Sequence, residues 1–139
     1  MSPFESLVDT SVDAAEVAWL VSKRAAAIRS RDAEYLASRY APAALTFGVA
    51  PPLAVLHGEA GGVDWLRRWL DAFDGRIRYS VRGLTVSVGG DLAFCQSVDL
   101  FSARHLGRRR REVQLATTLC MERAEGVWLI TAERLHVVE

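Results

Sequence analysis

The chain has 139 residues, half of them hydrophobic and about a quarter charged, which suits one folded domain with a real core and is too short for two. Its 17 basic and 17 acidic residues cancel, so no net field draws it toward nucleic acid or an anionic membrane surface. No apolar run approaches the roughly 20 residues of a membrane span, and the opening MSPFESLVDT lacks the basic start and apolar stretch of a secretory signal; a soluble, cytoplasmic protein is expected.

Val17, Val21, Ala25 and Ile28 recur at helical spacing and predict an amphipathic helix from Val12 to Arg29, with the only lysine, Lys23, nearly opposite that stripe. Asp32 reads as the N-cap of a short second helix ending near Tyr40, which Pro42 cannot continue. ALTF reads as a short strand, GVAPPLAVLHG as an irregular connection, and EAGGVDWLRRWLDAF as a third helix with Val63, Leu66, Leu70 and Phe73 on one face, stopped by Gly75.

Strands follow. Ile77, Tyr79 and Val81 alternate with polar residues and Leu84, Val86 and Val88 do so on the opposite parity, which requires a β-bulge at Arg82-Gly83. Further strands are expected at about Leu92 to His105, Arg109 to Glu122 and Val127 to Val138, with turns at Gly89-Gly90, near Gly107 and at Ala124-Glu125-Gly126. Helices first and an antiparallel meander after predict one α+β domain over residues 1–139, a curved sheet wrapped on three helices. Val113, Leu115, Leu119 and Met121 line one face of their strand; the other face is also apolar, so a homodimer through the sheet is expected. Arg108 to Arg111 reads as a solvated hairpin tip, with an anion site as the alternative.

Cys95 and Cys120 lack the short spacing of a zinc or redox motif and are expected as reduced cross-strand neighbours, with a disulfide as the alternative. Three histidines without HExxH or clustered acids predict no metal site, and GEAGG has neither the lysine nor the spacing of a phosphate loop.

RDAEYLASRYAPAALTF followed by PPL, HG before the third helix, GDLAFCQS and the final GVWLI strand together resemble the SnoaL-like, ketosteroid-isomerase-like proteins of the nuclear-transport-factor-like superfamily, from about Val12 to Val138. The resemblance implies a cone: a strongly curved antiparallel sheet closed by three helices around an apolar cavity, commonly dimeric. It implies no single chemistry, because the superfamily holds isomerases, polyketide cyclases, epoxide hydrolases, dehydratases and non-catalytic proteins. The pattern also departs from the nearest branch. Thr118 keeps that branch's Thr, but Ala116 stands where an Arg is usual, Ala132, Arg134 and His136 replace its His-x-His-x-Ser, and Gly48 stands where an Asp often follows the Phe of TF.

Opposed residues in an antiparallel hairpin have a constant sum of numbers, so turns predict registers. A two-residue loop at Gly107-Arg108 and a three-residue loop at Ala124-Glu125-Gly126 would align Asp99, Ala116 and Arg134 in one row and Phe101, Gln114 and His136 in the next. Arg134 could then cross the roughly 10 Å over Ala116 to Asp99. On this reading Asp99 is a general base, Arg134 or His136 stabilises a developing enolate or alkoxide, and Tyr40 donates a hydrogen bond as a neutral acid. Phe47, His57, Trp65, Trp69, Phe101, Gln114 and Thr118 are candidate ligand contacts. The alternatives are a structural Asp99 to Arg134 ion pair, a solvated strand end for His136, a turn role for His57 and packing roles for Tyr40 and the tryptophans. A one-residue slip would bring Glu133 inward instead.

The expected function is a cofactor-independent acid/base isomerase or cyclase acting on an apolar, oxygen-bearing small molecule, such as secondary metabolism would supply. The rivals are a non-catalytic dimeric binding module and an epoxide hydrolase with water held by Asp99 or Glu133. Schiff-base chemistry is disfavoured by the outward position of Lys23.

Overall fold

A computed structural model describes residues 11–48 and 62–138. Helix α1 (Val12–Ser30) begins where the Ser11 hydroxyl accepts the Ala14 N–H at 3.0 Å, and ends at Arg31, whose left-handed backbone (φ 58) turns the chain. Its buried stripe contains Val17, Val21, Ala25 and Ile28 as the spacing predicts, and also Arg24. Asp32 caps α2 (Ala33–Ser38) by accepting the Tyr35 N–H. Helix α3 (Val63–Asp71) buries Leu66 and Leu70 but stops short of the predicted Gly75. Phe73 already opens strand β2 (Phe73–Gly89) by pairing with His105, and Gly75 (φ 72) lies inside that strand where its register shifts.

Strands β1 (Tyr40–Gly48), β3 (Leu92–His105), β4 (Arg110–Ala124) and β5 (Val127–Val138) complete one curved, unclosed sheet in the order β1-β5-β4-β3-β2. The meander β2 to β5 is antiparallel, whereas β1 joins the edge of β5 in parallel, a pairing the linear pattern of turns does not reveal. The expected bulge is present: the β2/β3 register shifts between Arg82 and Thr85. Among the described residues no helix is long and apolar enough to cross a membrane.

Two hairpins pair differently from the sequence expectation, and the difference decides what faces inward. At the β3/β4 hairpin Arg104 pairs with Arg110, leaving residues 105–109 as the loop, so Asp99 opposes Leu115 rather than Ala116. Cys95 accordingly opposes Leu119; it is buried on the inner face while Cys120 lies half-buried on the other, and both are free thiols. At the β4/β5 hairpin only Glu125 (φ 52) and Gly126 (φ 80) form the turn, since Ala124 pairs with Val127. Two consecutive left-handed residues match the twist of the strands, which favours a two-residue loop over three. Thr131 then bulges between the Cys120/Ala132 and Met121/Ile130 pairs, its hydroxyl donating to the Cys120 carbonyl at 3.2 Å. Ala116 therefore opposes His136, and Thr118 opposes Arg134.

The interior is layered. One apolar cluster gathers Ile28, Leu36, Leu66, Leu70, Ile77, Tyr79, Ala103 and Leu115; a second gathers Val17, Val21, Cys95, Leu119, Met121, Trp128 and Ile130. Between them, each of α1, β1, β3, β4 and β5 contributes a buried polar residue: Arg24, Thr46, Asp99, Thr117 and Glu133. This polar belt crosses the inside of the sheet at mid-height.

Candidate functional site

The belt is built by strand register. Thr46 of β1 lies beside Glu133 of β5 in the parallel ladder, and its hydroxyl donates to Glu133 Oε1 at 2.9 Å. Above it, Tyr40 pairs with Ile130 but Leu45 with Ala132, so β1 carries surplus residues that bow out of the ladder. Ala43 takes a left-handed backbone there (φ 63), an uncommon conformation for a residue with a Cβ. The bow leaves Tyr40 free to donate its hydroxyl to Glu133 Oε2 at 2.8 Å. Arg24 reaches the same oxygen from α1 at 3.2 Å, and both charged side chains are almost fully buried, 8% and 3% exposed.

Arg24 Nη1 also lies 3.4 Å from the Tyr79 hydroxyl, which donates in turn to Asp99 Oδ2. Asp99 accepts two more hydroxyls, from Ser97 at 2.8 Å on Oδ1 and Thr117 at 2.9 Å on Oδ2. A continuous chain thus runs from Thr46 and Tyr40 through Glu133, Arg24 and Tyr79 to Asp99. Arg24 Nε, also buried, has no hydrogen-bond partner among the described residues.

Burial opposes the charge on Arg24, but Tyr79, Glu133 and Tyr40 outweigh it and hold its pKa well above the usual arginine range. The Tyr40 hydroxyl is pushed well above its usual 10, by burial first and then by the Glu133 charge. Tyr79 rises to about 12, again chiefly by burial, with Arg24 opposing and Asp99 adding to the rise. Both tyrosines are therefore neutral hydrogen-bond donors at ordinary pH.

The belt meets the surface at Tyr40. A cleft of about 640 Å³ opens between β1 and α3, with Tyr40, Pro42, Ala44, Val63, Trp65 and Arg68 in its walls. Tyr40 is half-buried, lines the cleft, and donates its hydroxyl to Glu133.

The residues expected at the site are thus divided. Asp99 and Tyr40 belong to the buried chain, and Trp65 lines the cleft. Phe101 faces inward, 6.0 Å from Trp69 in a stacked arrangement and edge-on to Phe73, so these rings pack a cluster beside the belt. Arg134 and His136 are exposed and do not join Asp99: the register places Glu133 inward and its neighbours outward. Gln114 is likewise exposed, and Thr118, opposite Arg134, lies on the outer side of β4. Phe47 pairs through its backbone with Arg134; its side chain and the whole of His57 lie outside the described residues. Among the described residues no group of three potential metal ligands is found.

Arg24, Thr46, Tyr79, Ser97 and Thr117 were not anticipated. Arg24 had a legible signal: it stands three residues after Val21 and four before Ile28, on the apolar stripe rather than opposite it. Tyr79 had one as well, its place in the Ile77-Tyr79-Val81 alternation, whereas Thr46, Ser97 and Thr117 had none, because their inward position depends on register.

Residues 17–135 match the family described as the SnoaL-like domain. No curated protein matches the chain. Among solved structures, a candidate calcium/calmodulin-dependent protein kinase II association domain from Xanthomonas campestris superposes with a TM-score of 0.75 at 21% identity, over 94% of this chain and 91% of that one. A candidate scytalone dehydratase from Novosphingobium aromaticivorans gives 0.74 at 14% identity over 88% and 82%. The hexachlorocyclohexane dehydrochlorinase LinA gives 0.74 at 18% identity over 86% and 81%. At these identities the likeness is one of fold.

Two outcomes follow for stability. Glu133→Ala strands a buried guanidinium and should cost about 3–5 kcal/mol, whereas the double variant Arg24→Met/Glu133→Leu, which leaves no charge behind, should lose less than the single change. Urea unfolding followed by circular dichroism measures both, and a single-variant cost below about 1 kcal/mol would show a solvated pair. At alkaline pH the sign is also defined: Tyr79 holds its proton more tightly folded (about 12) than unfolded (10), so its contribution is complete below pH 10 and is lost as pH rises toward 12. The unfolding free energy should fall across that window, less steeply in Tyr79→Phe; equal slopes would refute the linkage.

Proposed function

Since the chain belongs to the SnoaL-like family, we propose that it is a cofactor-independent enzyme that isomerises or cyclises an apolar, oxygen-bearing small molecule in the cleft between β1 and α3. The observation that carries this reading is that Tyr40 both lines the cleft and donates to a buried carboxylate paired with a buried arginine.

The chemistry is proton relay. A carbon-bound proton next to a substrate carbonyl passes to the Tyr40 oxygen while the Tyr40 proton passes to Glu133; the reverse transfer returns a proton to another carbon, shifting a double bond with no change of oxidation state. Tyr40 begins and ends neutral, as its raised pKa requires. Arg24 keeps a positive charge beside Glu133, and Thr46 orients the second oxygen. Asp99, bound by three hydroxyls, anchors Tyr79 and through it Arg24; its part is to position that guanidinium. Trp65 and Val63 supply apolar wall for the substrate body. A candidate scytalone dehydratase and a hexachlorocyclohexane dehydrochlorinase share this fold, which supports small-molecule chemistry as a precedent.

A second reading is a non-catalytic binding module. It is favoured by the fact that each carboxylate already accepts three hydrogen bonds from the protein itself, as in a purely structural network. The two separate in one assay. With 3-cyclohexenone as probe, the wild-type protein should form the conjugated enone faster than buffer, and Tyr40→Phe and Glu133→Gln, shown folded by circular dichroism, should each lose about 100-fold or more. A wild type that binds phenol but leaves the enone at background across a panel of unsaturated ketones would mark the binding module.

The same proposal includes a homodimer in the cytoplasm. On the outer face of the sheet Phe94 and Val98 are 43% and 41% exposed, beside Cys120 and Ala116 across the β3/β4 pair. A second copy laid on this face would cover them, and an association domain shares the fold. Sedimentation equilibrium should give twice the chain mass, reduced to one by Val98→Glu; a monomeric wild type or an unaffected variant would refute the interface.

A further inference from the structure

Three arginines gather on the carbonyls of the first half of β2, the edge strand far from the cleft side of the sheet. Arg29 Nη1 donates to the Tyr79 carbonyl at 2.8 Å, Arg31 to the Gly75 carbonyl, and Arg110 Nη2 to the Arg76 carbonyl at 2.6 Å, with Arg110 Nη1 also on Ser102. Arg76 and Arg78 extend from the same stretch. Part of this arrangement is structural, since side-chain donors on an edge strand block pairing with other chains.

What the edge role does not require is the charge. A carbonyl fixes a guanidinium without neutralising it, and among the described residues none of these five arginines has a carboxylate partner; the ion pairs present use Arg24, Arg67, Arg104 and Arg123. Arg29, Arg76 and Arg78 instead share a groove of about 250 Å³ with Ser80 and Ser102, against one acid, Glu112. Three guanidiniums in a small concavity repel one another, and Arg29 is already held in place, so an entering anion relieves the repulsion and has only Arg76 and Arg78 to order. The balanced charge of the whole chain conceals this local excess.

We propose that this groove binds a small molecule carrying a phosphate ester or diphosphate. The planar fork of arginine matches two phosphate oxygens at once, the serine hydroxyls supply neutral donors, and the volume suits a compact multiply charged group rather than a polymer. The site stands apart from the Tyr40 cleft: it shares no residue with it, and it does not depend on the proposed catalysis.

Isothermal titration calorimetry of the full chain with sodium pyrophosphate at low ionic strength provides the test. One saturable site per chain is expected, weakening as sodium chloride is added. Arg76→Ala/Arg78→Ala should weaken it by about tenfold per arginine removed, because each loses a charge-assisted pair, with the circular dichroism spectrum unchanged. Arg108→Ala/Arg109→Ala, on the neighbouring hairpin tip and outside the groove, should leave the affinity unaltered. If the double groove variant does not fold, Arg78→Gln alone serves in its place. No saturable binding, or equal weakening by the hairpin-tip variant, would overturn the proposal by showing no site or only diffuse attraction.

Discussion

The pairing of Arg24 with Glu133 is the interaction around which the interior is organised. Burying either charge alone would cost several kcal/mol of lost hydration, so neither is tolerable without the other. Arg24 comes from α1 and Glu133 from β5, far apart in sequence, so their meeting ties the first helix to the last strand. An apolar pair of similar volume would fill the space at no greater cost in stability. Retaining two charges there is therefore more readily understood as chemistry or as specificity of packing than as stabilisation.

From that pair the polar belt extends in two directions with different characters. Toward Asp99 it is sealed: Tyr79, Ser97 and Thr117 occupy the carboxylate, and the rings of Phe101, Trp69 and Phe73 pack to one side. Toward Tyr40 it reaches the cleft, where the surplus residues of β1 bow out of the ladder between the Tyr40/Ile130 and Leu45/Ala132 pairs. The strained backbone at Ala43 and the route from cleft to carboxylate thus have one origin, the mismatch in length between β1 and β5. A regular parallel ladder would leave no such opening.

Much of the architecture was legible from periodicity. The stripe of α1, the Asp32 cap, the bulge at Arg82-Gly83 and the antiparallel meander all follow from spacing and turn chemistry, which act locally. The site was less legible because it depends on register, and register depends on loop lengths that differ by a single residue. Residues 105–109 form a longer loop than Gly107-Arg108 alone, Glu125-Gly126 a shorter one than expected, and Thr131 adds a bulge that no alternation signals. Together these steps separate Asp99 from Arg134 and bring Glu133 inward. Asp99 is buried, but its partners are the hydroxyls of Tyr79, Ser97 and Thr117 rather than the Arg134 that the expected register set beside it.

The polar belt meets the cleft on one side of the curved sheet, and Phe94 and Val98 lie exposed on the other, so a molecule in the cleft and a second copy on the outer face would not compete for residues. The central claim is that the cleft communicates with Glu133 through Tyr40. A crystal structure of the protein soaked with phenol, an apolar ring carrying one hydrogen-bond donor, tests whether the cleft gives access to the Tyr40 oxygen. The phenol ring should lie against Trp65 with its hydroxyl donating to the Tyr40 oxygen, and Tyr40 should remain in contact with Glu133. Phenol bound elsewhere, or a Tyr40 hydroxyl enclosed by packing and out of reach of the cleft, would contradict it.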